Sequence, residues 1–228
     1  LWSFVLILVR LDETAALPRL HALDGGADLT TRIRSYLDVN CGNCHHPDSR
    51  VGGSAEVFID VFCETLRLVI LGGGHVGEKT AALAAFLGIP HWVVDDRREY
   101  ANRERFPQAR EVIVDQPDAA LARLGLGENA AVAIVTRCHG FDLRCLVAAL
   151  KTPAFYIGMI GSRTKTNRLF ELCRRRGLDP DADPRVCAPI GLDLGGRRPE
   201  EIALSILAEI TQRRHRATGR PLSERIPS

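Results

Sequence analysis

Gly72, Gly74 and Gly77 stand in G-x-G-x-x-G spacing directly behind an apolar run at 66–71. Only a strand, a tight turn and a helix fit that order. Gly72 permits the turn, Gly74 lets a ligand approach the backbone, and Gly77 lets helix and strand pack closely. Gly73, His75 and Val76 complete the loop, and the first helical amides favour an anion above it. Asp95 and Asp96 end a second apolar run, where an acid would hold a ribose hydroxyl. One of the two capping the strand end is the plainer alternative. His139, with Asp142 three residues later, follows a further apolar run. Gly161, Ser162 and Arg163 follow another: Ser162 can cap the next helix, whose amino end is a second anion site, and Arg163 is a planar donor. Asp193 stands between glycines in the loop 190–196.

These residues need elements to place them. Strand patterns at 66–71, 91–95, 111–114, 130–136 and 155–160 alternate with helical patterns at 76–87, 117–124, 141–150, 163–176 and 199–213. Ile202, Ala203, Ile206, Leu207 and Ile210 form one apolar stripe on the last helix. The alternation predicts an α/β fold: a Rossmann-like, doubly wound parallel sheet with helices on both faces. In that fold the ligand crevice opens where strand order reverses, between the first and fourth strands. Their carboxyl ends bring the glycine loop, His75 and His139 together, with Asp142 at the rim. A metal site from His75, His139 and Asp142 is one option; a histidine that merely packs or caps is another. Cys138, beside His139, is the thiol best placed for chemistry, whereas the other cysteines after residue 50 read as small core residues.

The sequence divides into an irregular amino-terminal appendage at 1–50, a lead-in strand and linker at 51–65, the Rossmann domain at 66–215 and a polar tail at 216–228. With 46% apolar and 25% charged residues the composition is that of a globular domain. A net charge of +2 gives no general case for nucleic acid or an anionic membrane. The arginine clusters at 174–176 and 213–216 read as solvated helix ends. No segment reaches the ~20 apolar residues of a membrane span. The apolar run at 1–9 stops at Arg10 and has no basic stretch ahead of it, so it makes a poor signal peptide. Seven cysteines in no framework spacing point to reduced thiols in the cytoplasm.

GGGHVG, VVDDR, TRCHGFD, FYIGMIGSRTKTNRL and APIGLDLGGRRPEEIALSILAEI occur in this order. Together they resemble the Rossmann domain of the xanthine dehydrogenase accessory proteins, the XdhC/CoxI family, over about residues 52–215. The resemblance implies a non-catalytic factor in molybdenum hydroxylase maturation. It would bind molybdenum cofactor (molybdopterin), protect it during sulfuration and pass it to the apoenzyme. A cysteine desulfurase and a second copy of the chain are further implied partners. Gly72, Gly74, His75 and Gly77 would floor the site, and His139, Asp142, Ser162, Arg163 and Asp193 would wall it. The family has a separate amino-terminal domain, which is not recognisable here. It often has a Cys before a glycine pair such as Gly52-Gly53, where this chain has Val51.

Cys41, Cys44 and His45 have the C-x-x-C-H spacing of c-type haem attachment, within a segment, 35–49, that resembles secreted cytochrome-like proteins. A zinc site from the same residues with His46, or a degenerate remnant, are the alternatives. Two functional alternatives stay open beside the maturation factor. One is an NAD(P)-dependent oxidoreductase using the glycine loop and Asp95. The other is a haem- or metal-binding redox protein using Cys41, Cys44 and His45.

Overall fold

The computed structural model describes residues 65–224, with the backbone of two short strands, β1 (Val5–Leu8) and β2 (Glu56–Ile59). The chain divides into two units, Leu1–Cys63 and Glu64–Ser228. In the first, β1 and β2 pair antiparallel, Val5 opposite Ile59 and Leu8 opposite Glu56. β2 lies within the expected lead-in strand; its partner β1 lies in the apolar run at 1–9. Cys41, Cys44, His45 and Val51 fall outside the described residues.

The second unit runs β3 (Arg67–Leu71), α1 (His75–Phe86), β4 (His91–Asp95), β5 (Glu111–Val114), α2 (Pro117–Arg123), β6 (Ala130–Ile134), α3 (His139–Leu150), β7 (Tyr156–Met159), α4 (Arg163–Arg174), β8 (Val186–Cys187) and α5 (Pro199–Arg214). Its strands form one parallel sheet in the order β5-β4-β3-β6-β7-β8. This is the doubly wound Rossmann order, with the reversal between β3 and β6. β8 was not expected, because two residues are too few to show periodicity. Between β4 and β5 the chain makes turns rather than a helix. Among the described residues no helix is long and apolar enough to cross a membrane.

The inner strands β3, β4, β6 and β7 are covered on both faces, so they are largely apolar rather than alternating, whereas the edge strand β5 is partly exposed. Leu68 and Ile70 of β3 face Ala81 and Ala84 of α1 and Ile206, Leu207 and Ile210 of α5. Val69 and Leu71 face the other way, toward Leu121 of α2, Leu146 of α3 and Phe170 of α4. Each Leu or Ile fully removed from water contributes about 1.5–3 kcal/mol. Ala131 and Ala133 of β6 leave room on the α1 side, which lets the helices settle close to the sheet.

The tightest approach lies at the glycine loop. Gly72 holds φ +119, where L side chains are disfavoured, and a Cβ there would lie 2.5 Å from the Val135 carbonyl oxygen. A Cβ on Gly77 would overlap the Gly72 carbonyl oxygen, whereas one on Gly74 would meet no atom within 4 Å. Gly77→Ala therefore lowers the unfolding free energy by about 1–3 kcal/mol, the cost of overpacking. Gly74→Ala leaves it within about 0.5 kcal/mol. Urea titration of both variants measures this, and equal losses would contradict the packing described.

Candidate functional site

β4 and β6 flank β3, so three strand ends converge on the glycine loop. The Gly73 amide donates to Oδ2 of Asp95 at 2.9 Å. The Arg97 amide and Nε both donate to Oδ1 at 3.0 Å, and Arg97 Nη2 reaches Oδ2 at 3.2 Å. Burial pushes the Asp95 carboxyl up, but hydrogen bonds from the Arg97 side chain and the Gly73 and Arg97 amides outweigh it and hold the pKa below 3.8. Asp95 thus serves as a clamp on the glycine loop, with both oxygens taken by protein donors.

The turns after β4 build one wall. Arg97 stacks over the Tyr100 ring, 3.6 Å from its centroid, with Arg105 at 5.0 Å. The Tyr100 carbonyl lies where a side chain on Gly73 would be. Arg105 also pairs with Glu78 in the first turn of α1. Asp96 pairs with Arg137 Nη2 at 2.8 Å, joining the strand ends on either side of β3. Arg137 in turn lies 5.5 Å over the Phe141 ring.

The opposite wall is held by a buried carboxylate. Asp142, fully buried in the first turn of α3, accepts from Thr136 Oγ1 at 2.6 Å. Its Oδ2 lies 2.5 Å from Lys165 Nζ, which also donates to the Ile160 carbonyl at 3.2 Å. The Lys165 stem packs against Gly161. Asp142 is thus turned inward, tying α3 to α4. His75 and His139 are the exposed first residues of α1 and α3, with no polar partner among the described residues. No cluster of three or more His, Cys, Asp or Glu able to hold a metal forms among those residues. The metal option from His75, His139 and Asp142 is therefore corrected: Asp142 is consumed by Thr136 and Lys165.

Ser162 caps α4 as expected, its Oγ accepting from the Lys165 amide at 3.2 Å. No side chain caps the first amides of α1 or α3, whose N-caps are Gly74 and Cys138. Arg163 is exposed and makes no hydrogen bond or ion pair among the described residues. Sequence spacing does not single out Arg97, Thr136, Arg137 or Lys165. Arg97 closes VVDDR and Lys165 follows Gly-Ser-Arg-Thr, so both stand in recognisable motifs; their partners are not legible there.

The loop 190–196 follows β8 and is tied to β7 by a bond from the Ile190 amide to the Met159 carbonyl, 3.0 Å long. α5 grips it. Glu209, buried, accepts from the Gly191 amide at 2.8 Å and from Tyr156 Oη at 2.5 Å. Ser205 Oγ donates to the Leu192 carbonyl, and the Leu192 amide donates back to the Ser205 carbonyl at 3.2 Å. Glu201 accepts from the Arg197 and Arg198 amides, both at 3.0 Å. Asp193 stands exposed on this loop. Burial, then Glu209, pushes Tyr156 well above 10 and the Cys187 thiol up to about 11, so neither ionises near neutrality. Cys145, Cys173 and Cys187 are buried free thiols; Cys138 is exposed.

This geometry defines a Rossmann domain in which the glycine loop and two uncapped helix amino ends meet at the strand-order reversal. Residues 68–210 match the model of the XdhC Rossmann domain, and the chain belongs to that family. It is 34% identical over 172 residues to the uncharacterized protein YqeB of Escherichia coli (strain K12), covering 75% of this chain and 31% of that protein. It is 32% identical over 163 residues to a probable xanthine dehydrogenase subunit of Bacillus subtilis (strain 168), covering 72% and 47%. It is 28% identical over 170 residues to the molybdenum cofactor insertion chaperone PaoD of Escherichia coli (strain K12), covering 73% and 46%. A crystal structure of a xanthine dehydrogenase from Bacillus halodurans superposes with TM-score 0.59 at 29% identity, over 71% of this chain and 45% of that one. The chain spans about a third to a half of the curated relatives it matches.

Because Asp95 has a lowered pKa in the folded state, its stabilisation is full above the unfolded value near 3.9 and fades as pH falls through the folded value. Asp95→Asn costs on the order of 1.5–3 kcal/mol at pH 7. The gap from the parent narrows below about pH 4. Urea unfolding at pH 7 and pH 3 tests this; a gap of equal size at both would remove the clamp assignment.

Proposed function

We propose that the crevice binds the phosphate-bearing pterin of molybdenum cofactor, as one step in maturing a molybdenum hydroxylase of the xanthine dehydrogenase type. The observation that carries the reading is the pair of uncapped helix amino ends, α1 and α3, at the adjacent strands β3 and β6. Each leaves amides without a side-chain partner and presents about half a positive charge to an anion. Arg163 adds a planar donor with no partner among the described residues. Open space over Gly74 admits the ligand to the backbone. Family membership supports the same cargo, as do the relatives named as a cofactor-insertion chaperone and a probable xanthine dehydrogenase subunit.

In this reading the domain is a holder. The α1 amides and Arg163 take anionic oxygens, while the wall built on Arg97 and Tyr100 shields one side from water. Asp95 and Asp142 are both locked in ion pairs, which suits them to positioning and not to proton transfer during turnover. Hand-over to the apoenzyme, protection during sulfuration with a cysteine desulfurase as supplier, and action in the cytoplasm belong to the same proposal. An NAD(P) site has less support, because Asp95 keeps no free oxygen for a ribose.

The test is binding of isolated molybdenum cofactor to the purified chain, followed by pterin fluorescence after oxidation and by mass analysis. Arg163→Ala and Gly74→Ala each weaken retention about tenfold, equivalent to ~1.4 kcal/mol, with no loss of stability. Micromolar binding of NAD or NADP with no retention of the pterin would overturn the reading.

A further inference from the structure

A second concavity lies at the opposite edge of the sheet. It has a volume of about 550 Å3 and sits where β3, β6 and β7 begin, beside the carboxyl end of α5. Its polar lining is dominated by arginines. Arg185 is not free: its guanidinium pairs with Asp183 at 2.6 Å and donates to the Thr152, Ala154 and Leu150 carbonyls. It is a staple that holds the loop before β8. Arg213, Arg214 and Arg216 differ. None makes an ion pair among the described residues; Arg213 reaches the Pro184 carbonyl at a long 3.4 Å and also meets the Cys187 thiol, so Arg214 and Arg216 are the freer two. Arg214 and Arg216 donate no side-chain hydrogen bond there.

The ordinary use of arginine at a helix carboxyl end is to offset the helix dipole, about half a negative charge. Three guanidinium groups exceed that need, and Glu128 is the one carboxylate lining the cleft among the described residues. The balance remains positive. Arg216 adds a second, independent sign. It holds φ +51 just past α5, the left-handed position that glycine usually fills. The Arg216 amide bonds to the Arg213 carbonyl and the Ala217 amide to the Gln212 carbonyl, closing the helix. An arginine there forgoes the backbone ease of glycine and brings a third guanidinium to the cleft. Phe155, half-buried, supplies an apolar wall. The volume falls within the roughly 300–1,000 Å3 of small-molecule sites.

We propose that this cleft is a second binding site, separate from the glycine-loop crevice, for a phosphorylated small molecule. Its phosphate lies among Arg213, Arg214 and Arg216, and its flat or apolar part lies against Phe155. Arginine suits phosphate through paired, planar donors.

Calorimetric titration of the full chain with AMP, and separately with inorganic phosphate, tests this. AMP binds more tightly than phosphate, and raising the salt concentration weakens both. Arg214→Glu with Arg216→Glu lowers AMP affinity at least tenfold. Arg216→Gly also lowers it, while leaving thermal stability equal or higher, which separates binding from folding. Arg163→Ala, in the other crevice, leaves AMP binding unchanged. AMP binding that is absent, that survives all the cleft variants, or that disappears with Arg163→Ala would overturn the proposal. So would an acidic peptide binding the same arginines more tightly than AMP.

Discussion

No side chain fits between the Gly72 carbonyl and the first turn of α1, and the carboxyl edge of the sheet is built around that contact. Gly77 lets the helix start against β3, and Gly72 turns the chain through a φ that other residues resist. The helix axis is thereby aimed so that its amino end opens on the reversal between β3 and β6. The same crowding recurs one residue along, where the Tyr100 carbonyl occupies the place of a Gly73 side chain. Asp95 completes the arrangement by taking the Gly73 amide, which fixes the loop to β4. Three separate segments, carrying Asp95, Tyr100 and Val135, thus converge on the loop.

Charge at this edge is arranged in two classes. Buried or half-buried groups are paired internally: Asp95 with Arg97, and Asp142 with Lys165 and Thr136. A buried carboxylate left without partners would be costly, so these pairs are obligatory once the chain places the acid there. Groups that remain uncommitted are exposed: His75, His139 and Arg163, with the amides of two uncapped helices. The paired class gives shape, and the uncommitted class is what the proposed anion site would draw on.

The longest distinctive motif, 188–210, acts chiefly as a clasp. Glu209 and Ser205 lie one helical turn apart on α5, so both reach the loop 190–196 from one face. Glu201 reaches back to the amides before the helix, a carboxylate in the first turn meeting backbone donors. Tyr156 ties the Glu209 carboxylate to β7, so the loop, the helix and the sheet share one anchor. The apolar stripe Ile206, Leu207 and Ile210 seats α5 against the sheet, and the polar residues between hold the loop after β8.

The order of elements, the doubly wound sheet, the reversal point and the glycine turn are all legible in the chain before it folds. These depend on local apolar runs and on glycines whose spacing admits few backbones. The cap at Ser162 and the stripe on α5 were legible for the same reason. β8 was not, being two residues long. Neither were the uses of the acids: Asp95 and Asp142 read as ligand contacts because they stand at strand and helix ends. Folding turns both of them inward. Their partners come from other segments, Gly73 lying 22 residues from Asp95 and Lys165 reaching Asp142 from the following βα unit. An ion pair or a buried hydrogen bond depends on distance in space, which spacing along a chain does not record.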